Sequence, residues 1–314
     1  APPRYKRVSI LTDRRECALW HRFRTRDLGI EGDIIHAPSF AVPPSPNQPL
    51  VVTAHDIAFM RHPGAFSKRG VRFHTKGLKI ARSEACALIV PSRFTHDEVV
   101  REGVKPNLIH VIPHGIKIHQ DIDSSHDEEL VNSIQVPKRF VLAVGTIEPR
   151  KNLPMLVRAV EEARETGEDI SLVLVGPRGW GDVNGLDRDF VYELGRIEDD
   201  ILNALMRQAI VYCVPSIYEG FGMPALEAMA SRTPVIASGV ASLPEVVGDA
   251  GTLLDPLDSQ SWAEAIVKIS QDVDFRNDQA ERGYVRAKSF TWESSARAHV
   301  AAYREALRIW RNKR

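Results

Sequence analysis

The sequence predicts an α/β protein made of two Rossmann-like halves in tandem, each built on a parallel sheet. Three observations carry this reading. Short apolar runs that end in polar or turn residues recur along the chain, as strands buried on both faces do. Stretches with helical spacing separate several of them. The alternation then breaks at a polar stretch, "IKIHQDIDSSHDEELVNSIQVPKR", and starts again after it. With 314 residues the chain has room for about two domains, and 43% apolar residues can fill their cores.

In the first half, "RVSIL", "DIIHA", "PLVVTAH", "ALIVPS" and "IHVIPHG" read as strands, with helices in "KRGVRFHTKGLKIARSEA" and "RFTHDEVVREG". The second half restarts with strand "FVLAVG" and helix "LPMLVRAVEEARETG", then strand "SLVLVG" and helix "DDILNALMRQA". Strand "IVYCVPS", helix "PALEAMASR" and strand "PVIAS" follow. The last stretch, "WESSARAHVAAYREALRIWRNKR", is a long amphipathic helix with a basic end. The expected domains are 1–120, a linker over 121–137, a second domain over 138–290, and a helix over 291–314 that crosses back to brace the first domain. The two sheets are expected to face each other across a cleft.

Composition narrows the function classes. Cys17, Cys86 and Cys213 lie far apart without paired spacing, so a disulfide framework or zinc site is not expected and a reducing compartment is. No apolar run reaches the ~18 residues of a membrane span, and "APPRYKRVSI" has no signal-peptide core. A cytoplasmic protein is expected. Net charge is zero but uneven: residues 1–117 carry 19 Lys/Arg against 10 Asp/Glu, and the remainder 22 against 31. The basic runs "RYKR", "RFRTR" and "SKRGVRFHTKGLK" are either a solvated surface or a face for an anionic partner, such as a membrane surface or a lipid diphosphate. Nucleic acid is not expected, because the basic runs lack interleaved aromatics.

In open parallel sheets, ligands bind beyond the carboxyl ends of strands, and chemistry-bearing residues cluster there. "SIYEGFGMPALEAMA" places Glu219 and Glu227 around a Gly-Phe-Gly turn and the start of a helix. Pro224 suits a first helical turn, Gly220 and Gly222 let backbone approach a ligand, and the helix end favours an anion such as a diphosphate. The two carboxylates can accept from sugar hydroxyls; alternatively they are surface acids near a helix N-terminus. In "LAVGTIEPRKN", Arg150 and Lys151 can neutralise a leaving diphosphate, or belong to a solvated turn capped by Asn152. In "VTAHD", His55 is a sugar contact or a structural histidine, with Asp56 beside it; His114 in "VIPHG" and Gly176 and Arg178 in "LVLVGPRGW" also follow strands. No G-x-S-x-G elbow, P-loop or H-E-x-x-H is present, and the 11 histidines are scattered, so no metal is expected. "GFGMPA" fits G-x-G-x-x-A, but it falls late in its half and the next strand ends in Ser238 rather than an acid, which argues against NAD.

Taken together and in this order, "DIIHAPSF", "PLVVTAHDIAF", "ALIVPSRFT", "IHVIPHGI", "VGTIEPRKN", "LVGPRGW", "IYEGFGMPALEAMA" and "SLPEVVGDAG" resemble the retaining nucleotide-sugar glycosyltransferases of family 4, which have the GT-B fold. The resemblance runs from about residue 33 to the end of the chain. It implies that Glu227 binds the donor ribose and Lys151 the diphosphate, with Arg150 near it. It implies that Glu219 and the backbone of Gly220, Phe221 and Gly222 hold the donor sugar and phosphates, and that His55 touches the sugar. Gly145, Thr146 and Gly176 fall in matching donor-binding stretches, and Arg196 and Ile197 in "LGRIEDD" lie where backbone holds the base. The wording "VGTIEPRKN" resembles mannosyl- and rhamnosyl-type members and favours GDP-mannose.

Two departures stand out. Many relatives have arginine where this chain has Thr146, which shifts phosphate binding toward Arg150 and Lys151. Only about 35 residues precede "HAPSF", without a Gly-Gly loop, so either a first βαβ unit is lacking or residues are missing from the sequence. The expected activity is retaining, metal-independent hexosyl transfer to a glycan, lipid-linked or small-molecule acceptor, with no cofactor beyond the nucleotide-sugar. Catalytic roles fall to His55, Arg150, Lys151 and Glu219. An epimerase or phosphorylase on the same fold, and a non-catalytic nucleotide-sugar-binding protein, are the alternatives.

Overall fold

The computed structural model describes residues 19–25, 27, 29, 32–118 and 124–313. The expected strand "RVSIL" and the run "RYKR" lie outside these. The chain divides into two compact units. One comprises Ala1–Pro63, Ser67–Pro113 and Ser295–Arg314; the other comprises Gly64–Phe66 and His114–Ser294.

The first unit holds a four-stranded parallel sheet in the order β1-β2-β3-β4. Its strands are β1 (Ile35–Ala37), β2 (Leu50–Thr53), β3 (Ala87–Val90) and β4 (Ile109–Val111). Val51 pairs with Ala87 and Leu88 with Ile109. The central strands β2 and β3 are buried along their whole length, which explains their continuous apolar runs. Helix α1 (Ala58–Arg61) and helix α2 (Lys68–Glu84) follow β2, and α3 (Arg93–Arg101) follows β3. The Ser67 hydroxyl accepts from the Gly70 N–H to start α2, and Ser92 does the same with Thr95 for α3. Gly77 brings α2 against the chain at Phe40: a Cβ there would sit 2.2 Å from the Phe40 carbonyl oxygen.

The chain's last helix, Trp292–Lys313, contributes to this unit, as the sequence suggested. Ala302 and Ala306, one turn apart, are fully buried in a core with Val51, Ala87 and Ile89. Tyr303 from the same helix is 2.8 Å from His36 Nδ1, and His36 Nε2 is 2.8 Å from Thr53 Oγ1. Burial above all, then the nearby His299 and His55, push His36 down to about 4. His21, stacked on Phe73 with centroids 4.5 Å apart, is likewise pushed down to about 4, chiefly by burial.

The second unit opens with α4 (Ser124–Ser133) and is organised on a six-stranded parallel sheet in the order β10-β9-β8-β5-β6-β7. In chain order its elements are β5 (Phe140–Val144), α5 (Leu153–Glu165), β6 (Ser171–Val175), β7 (Val191–Gly195), α6 (Asp199–Gln208) and β8 (Val211–Val214). Then come α7 (Met223–Ala230), β9 (Val235–Ser238), α8 (Leu243–Val247), β10 (Thr252–Leu254), α9 (Ser259–Gln271) and α10 (Val273–Ala287), leaving Trp292–Lys313 as α11. Strand β5 shows how the core divides: Phe140 and Leu142 join one buried cluster, Val141 and Ala143 the other, as alternation across a pleat demands.

Three differences from the sequence reading have physical causes. The expected linker is helical over Ser124–Ser133, and Asp127 of α4 accepts from Arg207 of α6 at 2.5 Å, so this polar stretch is a layer of the second unit. Residues 114–118 also fall in the second unit rather than the first. Strands β7 and β10 were not anticipated. Both are sheet edges and only partly buried, so neither carries a continuous apolar run.

A folded imidazole held near 4 takes up protons less readily than the unfolded chain at about 6.5. Stability from His21 and His36 is therefore complete above that value and is lost as pH falls toward 4. Each unit of separation is worth about 1.4 kcal/mol. Amide exchange in Leu50–Thr53 and Ala87–Val90 should report easier opening at pH 5 than at pH 7, with a weaker dependence in His36→Gln. A pH dependence unchanged by that substitution would refute the assignment.

Candidate active site

The sheet order of the second unit fixes where a site can form. From β5 the chain moves outward through β6 and β7 on one side, and from β8 through β9 and β10 on the other. The switch between these directions lies between the adjacent strands β5 and β8, where connecting loops part and leave a crevice. The loop after β5 carries Arg150 and Lys151; the loop after β8 carries Glu219.

These three side chains meet. Lys151 Nζ donates to Glu219 Oε1 at 2.6 Å and Arg150 Nη1 to Glu219 Oε2 at 3.2 Å. The Ser216 hydroxyl donates to Oε1 at 2.8 Å. Arg150 also donates to the Tyr218 carbonyl at 3.1 Å and pairs through Nε with Glu148 at 2.5 Å. Glu148 and Glu219 are both buried. Burial alone would push the Glu219 carboxyl up, but the charges of Lys151 and Arg150, with hydrogen bonds from Lys151 and Ser216, hold it below the ordinary range. Three of roughly four carboxylate lone-pair sites are thereby used, leaving room for about one further donor.

Backbone ties hold both loops in place. The Ile217 N–H donates to the Arg150 carbonyl at 2.9 Å, and the Ser242 hydroxyl to the Glu219 carbonyl at 2.8 Å. Gly145 has φ +144, and a Cβ there would lie 3.1 Å from Lys151 Cε. At Gly176, φ is +138 and a Cβ would fall 2.1 Å from the Gly145 carbonyl oxygen, so no other residue fits without moving that loop. Thr146 packs its methyl toward Gly179, and the Ile147 N–H donates to the Pro177 carbonyl at 2.9 Å.

Helix α7 begins after Gly222, whose φ is +102, with Pro224 in its first turn. No side chain among the described residues caps it. Phe221, between the two glycines of the turn, is buried edge-on against His114 at 5.1 Å and against Phe290 at 6.0 Å. Glu227 lies half-buried in α7, and burial, then the charge of Asp199, push its carboxyl up. It lines a 320 Å³ cavity with Asp199, Asn203 and Trp292. Tyr212 is fully buried, its hydroxyl 3.4 Å from the Val144 carbonyl. Its pKa is pushed well up by burial first and by the charges of Glu227 and Glu219 after it, so this phenol lies within the field of both acids.

Residues 2–120 match the family described as Glycosyltransferase Family 4, and residues 138–272 match Glycosyl transferases group 1. O-antigen chain mannosyltransferase B of Escherichia coli is 33% identical over 283 residues, spanning 86% of this chain and 74% of that protein. The chain belongs to glycosyltransferase family 4. A second relative of this family 4 glycosyltransferase, the MMP alpha-(1->4)-mannosyltransferase of Mycolicibacterium hassiacum, is 31% identical over 244 residues, which cover 73% of this chain and 56% of that protein. Among solved structures, sucrose-phosphate synthase from Thermosynechococcus elongatus superimposes with a TM-score of 0.68 at 25% identity, covering 87% of this chain and 73% of that one. Anabaena HepE in complex with UDP-glucose gives a TM-score of 0.70 at 21% identity, covering 95% and 80%. The fold of the family 4 glycosyltransferase is GT-B.

The remaining sequence candidates make other contacts. Arg178 pairs with Glu193 at 2.6 Å. Arg196 is exposed and Ile197 partly buried in the turn from β7 to α6. His55 belongs to the first unit, where its exposed ring donates from Nε2 to the Pro38 carbonyl at 3.0 Å, and Asp56 accepts from the Ala58 N–H to start α1. The sequence reading missed Ser216, Tyr212 and Ser242 in this glycosyltransferase. Ser216 sits three residues before Glu219 at the end of a strand, a placement that could have marked it; nothing local marks Tyr212 or Ser242.

Removing Lys151 leaves Glu219 buried with one cation. Lys151→Met is expected to cost about 3 kcal/mol of stability. The pH sign should also change. The depressed wild-type Glu219 contributes stability above the unfolded carboxyl range and loses it as pH falls through the folded pKa. In the variant, burial outweighs Arg150, the folded carboxyl rises, and stability declines as pH rises instead. Urea midpoints at pH 4 and 7 test this: the gap to wild type should widen at pH 7, and a constant gap would count against the pairing.

Proposed function

We propose that this family 4 glycosyltransferase transfers a hexose, mannose favoured, from a nucleoside-diphosphate sugar, GDP-mannose favoured, to a glycan, lipid-linked or small-molecule acceptor, with retention and without a metal. The observation that carries the reading is the Lys151–Glu219–Arg150 cluster at the switch between β5 and β8. Both relatives named above are mannosyltransferases by name, which favours mannose.

In this reading Lys151 and the start of α7 take up the charge that grows on the departing diphosphate. Fixed donors of this kind are worth about 3–4 kcal/mol each when aimed at developing charge. Arg150, held by Glu148 and the Tyr218 carbonyl, keeps Lys151 and Glu219 in register. Glu219 has one acceptor site left for a sugar hydroxyl, and Glu227 accepts from ribose hydroxyls. The raised carboxyl of Glu227 makes that contact sensitive to acid. No nucleophile is assigned on the sugar's far face, so transfer proceeds by attack of the acceptor hydroxyl on the same face. The anomeric C–O bond to the diphosphate breaks, the new glycosidic bond forms, and a diphosphate oxygen takes the acceptor proton. His55 keeps the sugar-contact role that the resemblance implies.

Lys151→Ala should lower kcat/KM by about 10²–10³-fold, and Glu227→Ala should weaken donor binding by roughly 10–100-fold. Near-wild-type transfer in both would defeat the site. A thermal-shift panel of GDP, UDP, dTDP and ADP tests the donor, because a ligand of the native state raises stability by RT ln(1 + [L]/Kd). GDP should give the largest shift, and a larger shift with another nucleotide would reassign the base.

A further inference from the structure

We propose that the exposed face of α2 in the first unit is a docking surface for an anionic phospholipid bilayer. This goes beyond the transfer reaction and does not rest on it.

Lys68, Arg69, Arg72, Lys76 and Lys79 are all exposed on α2. At 3.6 residues per turn they fall within an arc of about 100°. At 1.5 Å per residue they extend over ~17 Å of helix. The opposite face is apolar and packed, through Gly77, Leu78, Ile80 and Ala81. None of the five cations forms an ion pair with a carboxylate among the described residues. The one acid on the helix, Glu84, is held by Arg24 at 2.6 Å. A row of cations without counter-charges along one helix face is matched by a plane of phosphates.

A second observation favours a bilayer over a nucleic acid. Leu19 and Phe23 are 44% and 51% exposed, one helical turn apart, with the Phe23 N–H donating to the Leu19 carbonyl at 2.9 Å. His21 between them stacks on Phe73 of α2, which sets this turn beside the basic row. Apolar side chains next to cations suit an interface where hydrocarbon lies beneath phosphate; a duplex offers nothing to receive them. Each cation near an anionic surface is worth about 1 kcal/mol, roughly five-fold in partitioning, and the attraction is screened within a Debye length.

The test is sedimentation of the full chain with extruded vesicles of phosphatidylcholine alone, or with about one-third phosphatidylglycerol to supply surface charge. The expected result is binding to the anionic vesicles only, lost between ~50 and ~500 mM salt. Arg72→Glu with Lys76→Glu should cut partitioning by at least about twenty-five-fold, while the thermal shift with nucleotide stays as in the wild type. Lys68→Gln with Lys79→Gln, which removes two charges without reversing them, is the milder second variant and should cut it by about twenty-five-fold. Leu19→Ser with Phe23→Ser should weaken binding and leave its salt dependence intact. Equal binding to neutral vesicles, binding unchanged in both charge variants, or tighter binding to duplex RNA than to anionic vesicles would each overturn the proposal.

Discussion

The Glu219 carboxylate is the constraint on which the second unit's working end depends. A buried carboxylate is costly unless its charge is met, and here it is met from a different loop, by Lys151 and Arg150. Meeting it fixes the distance between the segments after β5 and β8, and the Ile217–Arg150 backbone bond reinforces that distance. Glu148 then balances Arg150, so the four side chains sum to no net charge. The cluster is therefore not a loose cationic patch. Its long side chains are already ordered, and little rotamer freedom remains to be lost when a ligand's charge arrives or develops.

The architecture places that cluster at the crevice rather than elsewhere. Parallel strands put all their carboxyl ends on one side, and only between β5 and β8 do the outgoing loops diverge. Close backbone approach does the rest. Gly145 and Gly176 stand so near each other that a side chain on Gly176 would enter the Gly145 carbonyl. That proximity keeps the loops after β5 and β6 flat beside Lys151. Phe221 works from below: its ring is locked by His114 and Phe290, so the flanking glycines are held by an aromatic core contact while their backbone faces the start of α7.

How much of this was legible in the sequence follows from burial and range. Central strands such as β2, β5 and β8 are buried along nearly their whole length and wrote continuous apolar runs that could be read directly. The edges β7 and β10 are half-buried, so Glu193 and Thr252 interrupt the pattern and hid them. The helix Ser124–Ser133 carries mostly polar residues: Val131 is buried in the core with Leu130 packed beside it, and the Asp127–Arg207 pair adds a polar attachment, so its apolar stripe is short. At the site, Arg150, Lys151, Glu219 and Glu227 were legible because each follows a strand or opens a helix. Their mutual pairing was not, since residues 68 or 69 positions apart leave no trace in local spacing. Ser242 and Tyr212 reach the site only through the fold, by a bond to the Glu219 carbonyl and by lying under the end of β5.

The chain's zero net charge conceals two ways of using cations. In the second unit, Arg150, Lys151 and Arg207 are consumed by partners that are themselves buried, and their charge serves to fix geometry. On α2 the five cations have no such partners among the described residues, and they share one face at the spacing of a helix that packs with its other side. Internal pairing explains where the first set is held, but among the described residues it accounts for none of the second. Mutual repulsion along α2 is relieved by any surface that supplies negative charge from outside, and an extended planar one relieves all five at once. The same residue types thus mark a built site where they are compensated and an outward-facing surface where they are not.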